Sequence, residues 1–292
     1  MAKCLVGILG ATGLVGECLL TNLTQSSWPV VAYSRRPSAY ATKGVETHKL
    51  PPEPGLQTRA QKPLPYWICV APIWVLPEYF ELLEACNAKL VVALSSTSRF
   101  TKENSSDLAE RATTHRLAEA ETRLQSWAEN SGVEWVILRT TLVYGLGRDK
   151  NIAEIARFVR CFKFFPFLGT ASGMRQPIHV QDLVGACVAV LQKPGVTTNR
   201  AYNLSGGESL SYREMVGRVF VAVGLRVRSL TVPLFAFRLV IALLRHLPRY
   251  RHWSPAMAER MNSDMVFDHS DALREFDFKP RVFKLSAEDV AA

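Results

Sequence analysis

Apolar and polar positions fall into short alternating blocks along the first half of the chain. Lys3 to Gly10 is a continuous apolar run closed by glycine, which predicts a strand buried on both faces of a parallel sheet. Ala11 to Leu23 follows, with Leu14, Val15, Cys18, Leu19 and Leu23 at the spacing of one helix face. Further strands are predicted at Pro29 to Ser34, Val45 to Leu50, Tyr66 to Ala71, Lys89 to Ser95 and Val133 to Thr140. Helices are predicted at Leu76 to Asn87 and Ser106 to Asn130. Strand and helix in alternation predict an α/β chain with a doubly wound parallel sheet.

Beyond Gly145 the pattern changes. Helices are predicted at Asn151 to Phe164, Asp182 to Gln192 and Ser211 to Val223, with Arg200 to Leu204 extended. Ser211 with Glu214 three residues later is a helix-start signature, and Asp182 is a second candidate cap. These elements predict a small mixed α/β lobe on the C-terminal side. Pro51 to Pro65 holds five prolines and is expected to replace a crossover helix with a loop.

Composition narrows the class. With 48% hydrophobic and 21% charged residues in 292, the chain can build a large core and is neither disordered nor fibrous. No apolar run is long enough to cross a bilayer. The six cysteines show no metal-ligand spacing, so no metal is expected, and reduced thiols in a cytoplasmic protein are the reading. The N-terminus lacks the pattern of a secretory signal, in line with a cytoplasmic location. Formal charge is +9, and between Arg213 and Arg260 nine arginines face two glutamates. That balance points to an anionic ligand or surface.

The most informative motif is Gly10-Ala-Thr-Gly13-Leu-Val-Gly16 between the first strand and first helix. The first glycine permits a tight turn, the second lets backbone approach a pyrophosphate, and the third lets helix and strand pack closely. The helix N-terminus then faces the anion. Gly10, Thr12, Gly13, Leu14, Val15 and Gly16 are therefore candidate dinucleotide-binding residues. An NAD site would place an acid at the end of the second strand, but here that strand runs into Arg35 and Arg36. Paired guanidinium groups suit a 2′-phosphate, so NADP(H) is expected over NAD(H).

The chain resembles the short-chain dehydrogenase/reductases, in their extended or atypical epimerase/dehydratase branch. Besides the glycine motif, the resemblance rests on Ile68 to Pro72, Ala93 to Thr97, Ile137 to Gly145, Arg175 to Leu183 and Ala201 to Gly207. It implies a Rossmann-type dinucleotide domain over residues 1–145, with returning segments near 176–204, and a substrate lobe over 146–292. It also implies that Val70, Ala71 and Pro72 line the adenosine side of the cofactor and Ser95 and Thr140 the nicotinamide side. Thr97 would hydrogen-bond a substrate oxygen, while Tyr144, Arg148, Arg175 and His179 would serve the substrate. In the family the helices at 76–87 and 106–130 often pair in a homodimer, so a monomer or homodimer is expected.

One departure matters most. The family's Tyr and Lys, one helical turn apart, act on the proton and the ribose. Here those positions fall near Thr113 and Leu117, and no Tyr occurs between Phe80 and Tyr144. His115 is the alternative acid or base with a suitable intrinsic pKa. Two smaller departures are the missing acid after the third strand, at His48 to Pro52, and Thr140 where proline is usual.

Two functional classes result. One is an NAD(P)(H)-dependent oxidoreductase or epimerase acting on a nucleotide-linked sugar through Thr97 and His115. The other is a catalytically inactive NADP(H)-binding protein that docks to a partner or membrane; Leu230 to Leu247 reads first as a helix closing the substrate lobe with Arg245, Arg249 and Arg251 in solvent, and second as an amphipathic helix on an anionic membrane. No nucleic-acid-binding module is evident.

Overall fold

The structure, a computed structural model, describes residues 3–35, 45–50, 62–103, 105–233 and 255–291. Seven parallel strands form the central sheet: β1 (Val6–Leu9), β2 (Val30–Ser34), β3 (Glu46–Lys49), β4 (Tyr66–Cys69), β5 (Leu90–Ser96), β6 (Glu134–Thr140) and, late in the chain, β11 (Arg200–Leu204). Their order is β11-β6-β5-β4-β1-β2-β3. The order reverses between β1 and β4, the switch point at whose carboxyl ends open α/β sheets bind their ligands.

Alternation along each strand decides which face a residue serves. Val6, Ile8, Val30, Ala32, Ile68, Val92, Val136 and Leu138 face α1 (Leu14–Gln25) and α6 (Val180–Gln192). Leu9, Val31, Tyr33, Trp67, Cys69, Val91 and Ile137 face the other way, onto Leu76, α2 (Phe80–Ala85) and α4 (Leu108–Ser131). α4 starts where the Asp107 carboxylate accepts from the Ala109 N–H at 2.8 Å and stops at Gly132, whose φ is 64°.

A third core joins α5 (Ile152–Phe162), β8 (Phe165–Leu168), α7 (Tyr212–Ala222), α8 (Pro255–Asn262) and the C-terminal residues Phe283 and Val290. β8 is paired in parallel with β13 (Ser229–Val232). The short pairs β7 (Val143–Tyr144) with β10 (Ile178–His179), and β9 (Met174–Arg175) with β12 (Leu210–Ser211), connect this core to the sheet. Two further helices complete the described elements, α3 (Ser98–Thr101) and α9 (Ser270–Phe276).

Several expectations change. Ile73–Tyr79 is a 3-10 helix containing Pro77, so only Phe80–Ala85 of the predicted helix is α. The helix drawn through Phe164 ends at Phe162, and Lys163 turns the chain with φ 61° into β8. His179, not Asp182, caps α6, and Asp182 instead accepts from the Arg281 guanidinium. Leu230 opens no helix but lies in β13, and residues 234–247 of that candidate segment lie outside the described residues. The same holds for residues 51–61 of the proline-rich stretch and for Arg36.

Candidate functional site

The glycine turn has the shape its sequence requires. Gly10 leaves β1 with φ 92°, and a Cβ there would lie 2.6 Å from the Ala71 backbone nitrogen. A Cβ on Gly16 would lie 2.4 Å from the Gly10 carbonyl oxygen, so helix and turn touch through backbone. Gly13 is different: its nearest neighbour would be 3.8 Å away, and it is exposed. As the N-cap of α1 it brings no side chain to compete for the N–H groups of the first turn. Close backbone packing behind an open glycine and an uncapped helix start fits a dinucleotide pyrophosphate.

The other cofactor candidates gather at the same edge of the sheet. Val70, Ala71 and Pro72 leave β4 beside Gly10, with the Val70 and Ala71 N–H groups both donating to the Leu9 carbonyl. Arg35 is exposed just past β2, and the strand end offers no carboxylate. Thr12, Leu14 and Val15 are half-buried on the turn and first helical residues. Ser95 does not turn toward this edge: its hydroxyl donates to Glu121 on α4 at 2.5 Å. Thr140 is buried, and its carbonyl accepts from both the N–H (3.0 Å) and the hydroxyl (3.2 Å) of Thr97.

Past the ends of β5 and β6 lies a cleft of about 480 Å³. Ser96, Thr97, Ser98 and Lys102 line one wall, Arg175, Gln176 and Tyr212 the other, and Arg260 reaches in from α8. Among the described residues the lining holds three cations and no carboxylate. Arg175 is 4% exposed, its Nη1 donating to the carbonyls of Met174 and Ser263, both at 2.7 Å, with its guanidinium 5.6 Å from the Tyr212 ring centroid. Burial pulls its pKa down from the usual arginine value, and among the described residues no carboxylate forms a salt bridge with it. Burial likewise raises the Tyr212 phenol above its ordinary range, against the pull of Arg175 and Arg260, so it stays protonated.

Glu110 sits behind the cationic wall. It accepts from Lys102 at 3.0 Å, Arg260 at 2.9 Å and the Ser105 hydroxyl at 2.8 Å. Burial would raise its pKa, but these donors and the two positive charges outweigh burial and hold it below the ordinary 4.5. A single carboxylate shared by two cations leaves the cleft electropositive, an environment that selects an anionic ligand.

The structure separates residues that the motifs grouped together. Thr97, at the N-terminus of α3, and Arg175 line the cleft. His115 does not: it is on the exposed face of α4, while Thr114, Leu117 and Glu121 face inward. Leu117, at the family's Lys position, packs in the core, and Thr113 bonds the Ala109 carbonyl. Tyr144 is fully buried, edge-on to His179 and Phe283, with ring centroids 5.1 and 4.9 Å away. His179 accepts from the Gln181 N–H through Nδ1 and donates from Nε2 to Asp289 at 3.1 Å, tying the C-terminal residues to α6. Both brace the fold away from the cleft lining. Arg148 is half-exposed and paired with Glu17 on α1. Lys102, Tyr212 and Arg260 were missed because nothing in their local sequence marks them. Their convergence depends on three segments far apart in the chain.

Strand order and glycine turn together define a Rossmann-type α/β fold. Residues 78–205 match the model of the NAD dependent epimerase/dehydratase family, the family whose motifs the sequence resembles. The UDP-glucose 4-epimerase of Vibrio cholerae is 31% identical over 122 residues, which is 42% of this chain and 37% of that protein. A mitochondrial protein of Arabidopsis thaliana, NADH dehydrogenase [ubiquinone] 1 alpha subcomplex subunit 9, is 26% identical over 34% of this chain and 25% of its own. The chain thus aligns with little more than a third of these relatives at most. Among solved structures, an epimerase from Methanothermobacter thermautotrophicus superposes with TM-score 0.75 at 17% identity, covering 99% of this chain and 91% of that one. A UDP-glucuronic acid 4-epimerase from Bacillus cereus, in complex with NAD, superposes with TM-score 0.69 at 16% identity, covering 98% and 95%. The fold is shared along the whole chain.

Proposed function

We propose that the protein is an NADP(H)-dependent enzyme acting on a nucleotide-linked sugar. The observation that carries this reading is the cleft itself, where Lys102, Arg175 and Arg260 converge with no carboxylate among the described lining residues. A nucleoside diphosphate is the anion that matches three cations beside a dinucleotide crevice, and Arg175, already desolvated, gives it a charge-assisted hydrogen bond. The Vibrio and Bacillus relatives, named for UDP-sugar epimerisation, support the same substrate class. Arg35 at the end of β2 supports the 2′-phosphate of NADP(H).

The bound dinucleotide would supply hydride transfer at a hydroxyl-bearing carbon. Thr97 would hold the substrate oxygen through its hydroxyl, which Thr140 fixes from behind. Lys102 and Arg260 would orient the diphosphate with Arg175. With His115 on solvent, the proton released from the substrate hydroxyl would pass to water, while the protonated Tyr212 phenol at the cleft wall could only donate a hydrogen bond. Incubation with a panel of UDP-hexoses and NADP+ tests this: a change of sugar configuration, or reduced cofactor accumulating, supports it. No turnover with any of them, from protein that binds both ligands, rejects it.

A second reading is a binder without catalysis. Leu117 favours it, because a buried leucine occupies the place of the family's lysine. Tight binding of dinucleotide with no oxidation or reduction of it would select this reading.

A further inference from the structure

On the side of the third core, the ends of α5 and α7 and the starts of β8 and β13 meet at one corner. α5 closes with Arg157, Phe158, Arg160 and Phe162, and Lys163 and Phe164 follow before β8. Phe158 lies 4.6 Å from Phe162 and 6.2 Å from Phe164 between ring centroids. Phe162 is 54% exposed and Phe164 37%, so the rings, tilted or edge-on to one another, form a ridge open to water. The Phe165 N–H donates to the Arg228 carbonyl at 2.9 Å, which sets Arg226, Val227 and Arg228 alongside Lys163 and Phe164. Val227 and Leu230 are also exposed.

Four exposed cations neighbour these apolar groups, Arg157, Lys163, Arg226 and Arg228, with Arg160 partly buried beneath. The acid within α5 is Glu154, engaged with Arg157 at 3.1 Å. Arg160 Nη1 is buried and, among the described residues, has no hydrogen-bond partner. Exposed rings in contact with one another mark an interaction surface. Its charge decides the occupant. A second copy meeting this corner about a two-fold axis would oppose like charges. Rings flanked by Arg and Lys suit a bilayer with anionic headgroups, where the rings enter the acyl boundary and the cations meet phosphate. A net charge of +9 steers the whole chain to the same kind of surface.

We propose that this corner, Phe162 and Phe164 with Lys163, Arg226 and Arg228, is a peripheral docking surface for an anionic lipid bilayer. Docking does not require a span, and no helix among the described residues is long and apolar enough to cross a membrane. It is independent of what the cleft binds.

Co-sedimentation of the full chain with phosphatidylcholine vesicles, with and without phosphatidylglycerol, tests it. Binding should need the anionic lipid, and Lys163→Glu with Arg228→Glu should weaken it by at least about tenfold, given roughly 1 kcal/mol per basic residue at such a surface. Phe162→Ser with Phe164→Ser should weaken it as well, with unchanged circular dichroism since both rings are exposed. Arg123→Glu, on the far helix α4, should leave binding intact. Three results would overturn the proposal: no preference for anionic vesicles, binding lost on Arg245→Glu with Arg249→Glu but kept in the corner variants, or a dimer in sedimentation velocity that dissociates when the two rings are replaced.

Discussion

Arg260 on α8 donates to Glu110 on α4 at 2.9 Å, tying α8 to α4 beside the cleft. Lys102 shares the same carboxylate oxygen. Glu110 thus acts as an internal counter-ion for two of the three cations that a diphosphate would engage.

This arrangement has a pH signature. Glu110 has a folded-state pKa below the ordinary 4.5, so its stabilising contribution is present in full above that value and fades as pH falls through the folded value. Thermal unfolding of the protein and of Glu110→Gln should differ near neutral pH, with the wild type more stable, and converge under acid. A gap that widens on acidification would contradict the assignment.

A second carboxylate carries more weight. Glu121 is 1% exposed and held by Arg99, by Arg139 through Nη2 at 2.7 Å, and by Ser95. Its removal leaves two guanidinium groups without their partner. Glu121→Ala should therefore cost about 3–5 kcal/mol in urea unfolding. A loss below about 1 kcal/mol, the range of surface pairs, would show that this cluster is solvated.

The glycine turn separates folding from binding. Gly16→Ala forces a Cβ onto the Gly10 carbonyl and should destabilise the fold by about 1–3 kcal/mol. Gly13→Ala meets nothing closer than 3.8 Å and should leave the melting temperature nearly unchanged while weakening dinucleotide binding. Calorimetry and a binding titration on the same samples read both. Equal effects of the two substitutions on both readouts would rule out a pyrophosphate over Gly13.

Within the cleft, Arg175→Lys keeps charge but loses the planar donor fork. It should cost about 2 kcal/mol in affinity for UDP, the scale of one charge-assisted hydrogen bond. Thr97→Ala should lower turnover without altering UDP binding, and His115→Ala should change neither. Loss of turnover in His115→Ala would place that imidazole in the chemistry despite its exposed position.

Most of the sheet was legible in the sequence because strands buried on both faces leave continuous apolar runs, as Leu90–Ser96 and Glu134–Thr140 do. β11 was read without error at Arg200 to Leu204. β8 was not, since Phe162 to Phe167 continues the apolar character of α5 and only the backbone at Lys163 reveals the break. The glycine turn was legible because its constraint is local. The cleft was not, because Lys102, Tyr212 and Arg260 acquire meaning only when α3, α7 and α8 are brought together. His115 had the right chemistry in the right helix, on the wrong face of it. Tyr144 and His179 carried family motifs, but packing makes them braces.

The central claim is that this fold binds NADP(H) at the glycine turn with Arg35 reading the 2′-phosphate. A fluorescence titration of the protein with NADPH and NADH tests it most directly. The account predicts tighter binding of NADPH, and a preference that collapses in Arg35→Ala while NADH affinity stays unchanged. Equal affinity for the two dinucleotides in the wild type, or binding of neither, would contradict it.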